Sequence, residues 1–206
     1  MTASYRTISA PVEHETEVRR SRFVCALAPA PTEEAAREFV AARRRLHPDA
    51  SHNCSAYVIG DGPRRADDDG EPGGTAGTPM LEMLARRGFA DVVAVVTRYF
   101  GGVLLGAGGL ARAYGGAVGA ALDRAPVVEM VPATLVTVTV GHAEAGRLEN
   151  DLRASPYALR GVEYGSRVAF EVAVAADGMP GFERWLAAAT AGRARMSAGA
   201  LVRLPR

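Results

Sequence analysis

Lysine is missing from this chain of 206 residues, and all 24 basic residues are arginine. The Gly-Lys-Ser/Thr phosphate loop is therefore excluded. Only two cysteines occur, Cys25 and Cys54, too few for a disulfide framework and without the paired spacing of a zinc site. No apolar run approaches the length of a membrane span, and Met1 to Ala10 lacks the charged-then-apolar pattern of a secretory leader. A cytoplasmic protein that makes no use of a membrane is the expectation. Charge of one sign is scarce as well: the formal net charge is +1, which argues against nucleic-acid binding by a broad basic surface. A local patch remains, because Glu183 is the last acidic residue and Arg184, Arg193, Arg195, Arg203 and Arg206 follow it.

What is present suffices for a packed core, with 48% hydrophobic residues spread over one larger or two small domains. Tyr5 to Ile8, Val12 to Glu17 and Arg22 to Ala28 read as strands. The helix after them has Thr32 as its cap, Glu33 and Glu34 at its positive end and Arg43 to Arg45 at its negative end. Its apolar face reads as Ala35, Phe39, Ala42 and Leu46. Asn53 to Ile59 reads as a strand and Gly60 to Gly77 as a polar loop. A second helix then has Thr78 as cap, Pro79 in its first turn, Met80 and Met83 or Leu84 inward and Gly88 as its stop. Asp91 to Thr97 is rich in valine, the signature of a strand covered on both faces.

A change of pattern near Ala125 to Val131, flanked by Pro126 and Pro132, separates a domain over 1–127 from one over 128–206. The second has its own rhythm. Ala133 to Gly141 reads as a strand, Ala143 to Ala154 as a helix, Tyr157 to Glu163 and Arg167 to Ala175 as a strand pair, Pro180 to Thr190 as a helix and Ala194 to Leu204 as a last strand. That order, βαββαβ, is the ferredoxin-like unit, and the fold class is α+β.

Two segments carry the chemistry. From Arg98 the chain leaves the valine strand through a glycine-rich loop into a helix whose buried face is Leu110, Tyr114, Ala117 and Ala121. Strand end, loop and helix N-terminus make an anion seat, with Arg98, Tyr99, Gly101, Gly102, Gly106, Gly108 and Arg112 as candidate phosphate or nucleic-acid contacts. The same glycines also suit turns and close packing without a ligand, and Gly115, Gly116 and Gly119 read as packing glycines. Gly106, Gly108 and Ala111 fit G-x-G-x-x-A only formally, since a dinucleotide site turns directly off its strand. The second segment, Asp67 to Gly77, crowds carboxylates close in sequence to His52 and Cys54, which share one face of their strand. His52, Cys54, Asp69, Glu71 and Thr75 form a candidate polar site with three readings: a metal site without EF-hand spacing, a Cys54 nucleophile beside His52, or a solvated turn. No catalytic residue, metal ligand or cofactor is assigned.

Together His47-Pro48-Asp49-Ala50, His52-x-Cys54-x-Ala56, Asp68-Asp69-Gly70-Glu71-Pro72-x-Gly74-Thr75-Ala76-Gly77-x-Pro79-Met80, and Arg98-Tyr99-Phe100-Gly101-Gly102 through Tyr114-Gly115-Gly116 resemble the bacterial YigZ branch of the IMPACT family, over the whole chain. The resemblance implies an N-terminal domain like that shared by a small-subunit ribosomal protein domain, elongation factor G domain IV and the GHMP kinases. It also implies a ferredoxin-like C-terminal domain. Eukaryotic members regulate translation, so the resemblance points to a translation-associated regulatory protein binding RNA or a ribosome-associated protein through Arg98, Tyr99 and Arg112. The alternative is an enzyme or binding protein acting on a nucleotide or other phosphorylated small molecule through the glycine-rich loop. The oligomeric state is left open, a homo-oligomer included.

Overall fold

Both pleats of a valine strand are apolar, so it is stable only with a layer on each side. The computed structural model, which describes residues 4–206, buries every residue from Val92 to Arg98. The chain divides into two compact units, the first being Tyr5–Glu129. It contains β1 (Tyr5–Ile8), β2 (Val12–Val18), β3 (Ser21–Pro29), α1 (Glu33–Leu46), β4 (His52–Val58), β5 (Arg64–Asp67), α2 (Gly77–Arg86), β6 (Val92–Tyr99) and α3 (Ala107–Leu122). An antiparallel sheet runs β2-β3-β6-β4-β5. One of its faces packs Ala28, Tyr57, Val93 and Val95 against Ala36, Phe39 and Val40 of α1. The other carries Phe23, Cys25, Cys54, Ala94 and Val96, covered by Met80 and Leu84 of α2 and by Leu110, Tyr114 and Val118 of α3. Side chains alternate along a strand, so Arg98 falls on this second face with Val96. The register sets Phe23 and His52 directly across from Arg98 on the two flanking strands.

The second unit, Met130–Arg206, begins inside β7 (Val127–Val140) and continues with α4 (His142–Arg153), β8 (Ala158–Tyr164), β9 (Val168–Ala175), α5 (Met179–Thr190) and β10 (Arg195–Pro205). Its strands pair antiparallel in the order β10-β7-β9-β8, the ferredoxin-like arrangement. Val136, Val138 and Phe170 of the sheet pack with Leu148 and Leu152 of α4 and Phe182 and Leu186 of α5. Pro132 lies within β7 instead of in a linker, one residue before the β9 ladder starts at Ala133, so its missing N–H interrupts nothing there. No described helix is long and apolar enough to cross a membrane.

Three expectations are corrected. The inner side of α1 is Ala36, Phe39, Val40 and Arg43, while Ala42 is exposed and Leu46 is 64% exposed. Arg43 takes the inward position because its head reaches Glu13 at 2.6 Å and His47 at 2.7 Å, which satisfies the charge while the stem packs. The polar loop contains a strand, β5, which pairs with β4 although every residue in it is exposed. Gly116 has no neighbour within 4 Å of a built Cβ and is not a packing glycine, whereas Gly115 and Gly119 lie against α2.

Two glycine substitutions test this placement. A Cβ on Gly101 would stand 2.0 Å from the Arg20 carbonyl oxygen, so Gly101→Ala is expected to lower stability by about 1–3 kcal/mol. On the open side of α3, Gly116→Ala is expected to raise it by about 0.5–1 kcal/mol. Urea denaturation measures both, and equal effects would contradict the packing described.

Candidate functional site

Arg98 ends the buried part of β6 with its side chain enclosed. Its Nη1 donates to Glu71 Oε1 at 2.6 Å and its Nη2 to Ser21 Oγ at 3.3 Å. The guanidinium also lies over the rings of Phe23 and Phe100, 5.5 and 5.4 Å from their centroids. The hydroxyl of Tyr114 donates to the same Glu71 Oε1 at 2.7 Å, and burial holds that phenol above its ordinary pKa. The 67–77 loop, the end of β6 and the middle of α3 thus meet at one carboxylate.

The acidic loop is built by its own carboxylates. Asp68 Oδ1 accepts from the backbone N–H groups of Ala76 and Gly77, at 3.0 and 2.8 Å, and Oδ2 accepts from Gly74 N–H at 2.7 Å. Asp68 therefore serves the N-terminus of α2, a role expected of Thr78, which lies inside the helix. Partial burial opposes its charged form, yet the donors of Gly74, Gly77 and Ala76 outweigh that and hold the Asp68 carboxyl below its usual pKa. Asp69 adopts φ 43°, accepts from Asn53 N–H at 2.6 Å and pairs with Arg44 at 2.8 Å. Thr75 Oγ1 donates to the Pro72 carbonyl at 2.6 Å. Asp69 and Thr75 shape the loop and do not line the cavity described below.

Cys54 is fully buried, its Sγ donating to the Asp68 carbonyl at 3.0 Å. Burial pushes this thiol up to about 12, which favours the protonated form at neutral pH and weighs against the nucleophile reading. His52 differs. Its Nδ1 lies 2.9 Å from the Asp69 carbonyl, which can only accept, so Nδ1 carries the proton and in the neutral ring Nε2 keeps a bare lone pair. That Nε2 stands 3.9 Å from Glu71 Oε1.

His52, Glu71 and Arg98 floor a cavity of about 420 Å³ walled by Pro72, Phe100, Leu104, Leu105 and Leu110. Phe100 is 48% exposed and Leu104 82%. The N-terminus of α3 borders it through Gly106 and Ala107. Its cap residue, Gly106, has φ 69° and supplies no side-chain bond, so the first-turn amides lack the usual partner. Arg112 is exposed and forms no ion pair among the described residues, and its Nη1 lies 3.5 Å from a Cβ built on Gly108, folded back over that first turn.

The anion seat expected around the glycine loop is therefore smaller than its residue list. Arg98 is held by Glu71, the Tyr99 hydroxyl is 2.8 Å from His47 Nδ1, and Gly101 N–H donates to Ser21 Oγ at 3.2 Å. Gly102 faces open space with φ 81°. Of the remaining three, Gly106 lines the cavity, and Arg112 lies over Gly108 in the same first turn of α3. Phe100, Leu104 and Leu105 were missed by sequence reasoning, although an apolar run between glycine turns, Val103 to Leu105, was a legible signal. Among the described residues no three His, Cys, Asp or Glu side chains converge as a metal site.

A helix-covered antiparallel sheet joined in sequence to a ferredoxin-like unit, with a polar-floored cavity in the first, defines a two-domain α+β protein. Residues 19–122 match the Impact N-terminal domain and residues 138–193 a domain of unknown function (DUF1949). The IMPACT family member YvyE of Bacillus subtilis (strain 168) is 43% identical over 206 residues, covering 99% of this chain and 95% of that protein. The family member YigZ of Escherichia coli (strain K12) is 39% identical over 183 residues, or 87% of this chain and 90% of that one. A crystal structure described as that of a hypothetical protein superposes with a TM-score of 0.73 at 37% identity, covering 97% of this chain and 99% of the other. The chain belongs to the IMPACT family.

Asp68→Asn is expected to lower stability at pH 7 by about 1–3 kcal/mol, through weakened bonds to three backbone donors. The folded pKa of Asp68 lies below its unfolded value, so its contribution is present above about pH 4 and fades as pH falls through the folded value. Denaturation curves of the two proteins should therefore converge below about pH 4. Iodoacetamide at pH 8 is expected to leave Cys25 and Cys54 unmodified in the native protein and to alkylate both in guanidinium chloride. Fast native labelling of Cys54, read by mass spectrometry, would contradict its burial.

Proposed function

We propose that this protein is a translation-related binding protein, without catalysis, that holds single-stranded RNA across the cavity mouth. The observation that carries this reading is the half-exposed ring of Phe100 beside the uncapped N-terminus of α3 and the unpaired Arg112. An exposed ring stacks an unpaired base, and helix amides with a free guanidinium take the neighbouring phosphate. Membership of a family regarded as translation-related supports the biological setting. A net charge of +1 suits a few local phosphate contacts better than wrapping of long nucleic acid.

The alternative, chemistry on a phosphorylated small molecule, finds less support. It needs a carboxylate able to hold Mg²⁺ or take a proton. Asp69 is committed to Asn53 and Arg44, and Glu71, although its Oε2 takes no protein bond, has its charge offset by the Arg98 guanidinium, which weakens it both as a Mg²⁺ ligand and as a base.

Fluorescence anisotropy with a short single-stranded RNA tests the proposal, and affinity is expected to fall as salt rises. Arg112→Ala should lower the salt slope by about one, and Phe100→Ala should weaken binding by about 1–3 kcal/mol. Neither side chain makes a hydrogen bond or ion pair that the fold requires, so melting temperatures should change little. RNA binding that is absent, or indifferent to both substitutions, would reject the reading.

A further inference from the structure

We infer that the cavity is a guanine site: it takes one unpaired guanine, whose N1–H and N2–H donate to His52 Nε2 and Glu71 Oε2. The inference deepens the proposed function and rests on that reading of the groove. Glu71 is buried with a side chain 3% exposed, and both of its protein hydrogen bonds, from Arg98 and Tyr114, fall on Oε1. Oε2 accepts no bond from any described residue, yet it is not sealed off as a buried unsatisfied atom, and Glu71 lines the cavity. His52 lines it too, with Nδ1 committed to the Asp69 carbonyl and Nε2 left as an acceptor. The floor thus offers two neighbouring acceptors, while each Nη of Arg98 makes one protein bond, to Glu71 and to Ser21, and its Nε is enclosed away from any ligand.

That pattern selects among bases. Adenine and cytosine present a donor next to an acceptor, and the N3–H of uracil is flanked by two carbonyl oxygens, so each turns a lone pair toward one of this pair of acceptors. Guanine alone places two donors side by side on its pairing edge. Glu71 and Arg98 cancel in charge, so the floor favours a neutral donor group over an ammonium or guanidinium. Phe100, Leu104 and Leu110 cover the faces of a planar base, and its phosphate can lie toward the α3 N-terminus and Arg112. A volume of about 420 Å³ accommodates a base with its sugar. The same chemistry can arrive as a free guanosine nucleotide or as an unpaired guanine within RNA.

Isothermal titration of the full-length protein with GMP, IMP and AMP, and with the hexaribonucleotides AAGAAA and AAAAAA, tests this. GMP is expected to bind about tenfold or more tightly than AMP, with IMP, which lacks the N2 amine, in between, and AAGAAA to exceed AAAAAA similarly. His52→Leu should reduce the preference for GMP over AMP while Glu71 still distinguishes GMP from IMP. Glu71→Gln disturbs a buried ion pair and can unfold the protein, so the ligand series on the unaltered chain carries the test. GMP, IMP and AMP binding alike, or none of them binding, overturns the guanine site. Both hexamers binding equally leaves RNA binding standing and removes the guanine site. Selective GMP binding with neither hexamer bound upholds the site for a free nucleotide and rejects the RNA reading.

Discussion

A carboxylate and a guanidinium buried together at the end of β6 hold the site in shape. Glu71 and Arg98 are 27 positions apart, and Tyr114, a further partner of Glu71, is 43 away from it. Removing two such charges from water costs several kcal/mol per ion, and the arrangement persists only where further hydrogen bonds satisfy their remaining atoms. Tyr114 and Ser21 supply one such bond to each ion, while Arg98 Nε and Glu71 Oε2 take none from the described residues. Because the three elements meet at one carboxylate, the floor of the cavity is rigid and its walls inherit positions from α3 and from the turn after β6.

The acidic loop follows from the same economy of polar groups. Asp67 to Glu71 reads as a solvated or metal-binding run, yet Asp68 and Asp69 spend their oxygens on backbone amides and on Arg44. A carboxylate accepting three N–H bonds is worth more to the loop than the same group in water. The run consequently carries little free negative charge toward the cavity, and an anion can approach the α3 N-terminus without meeting a wall of carboxylates. The loop also turns the His52 ring, since Asp69 presents the carbonyl that fixes its tautomer.

What the site does not contain is equally physical. Cys54 sits one pleat below His52 on the same face, but burial keeps its proton on, and its hydrogen bond goes to a carbonyl. His52 therefore faces the cavity without a nucleophile to activate. An imidazole lone pair, a half-free carboxylate and aromatic and aliphatic walls line the cavity of a member of the IMPACT family, which is regarded as translation-related.

Most of the architecture was legible in the chain, because period-two and period-3.6 patterns are local: the valine strand β6, the Thr32 cap of α1, the buried face of α3 and the whole βαββαβ order of the second unit. Where local pattern misled, a distant partner had intervened. Glu13 drew Arg43 inward and displaced Leu46, Asp68 took over the cap from Thr78, and β4 recruited β5 from a segment with no apolar side. The sequence by itself also carried the family, through motifs spread along its length. Only the tertiary structure decided that Arg98 is a buried partner of Glu71 instead of an open phosphate ligand, and that Phe100 and Leu104 stand at the rim of a cavity. Those facts depend on the register that sets His52 and Phe23 across from Arg98 and on the packing of α3 over it, contacts between residues far apart in the chain that no local periodicity encodes.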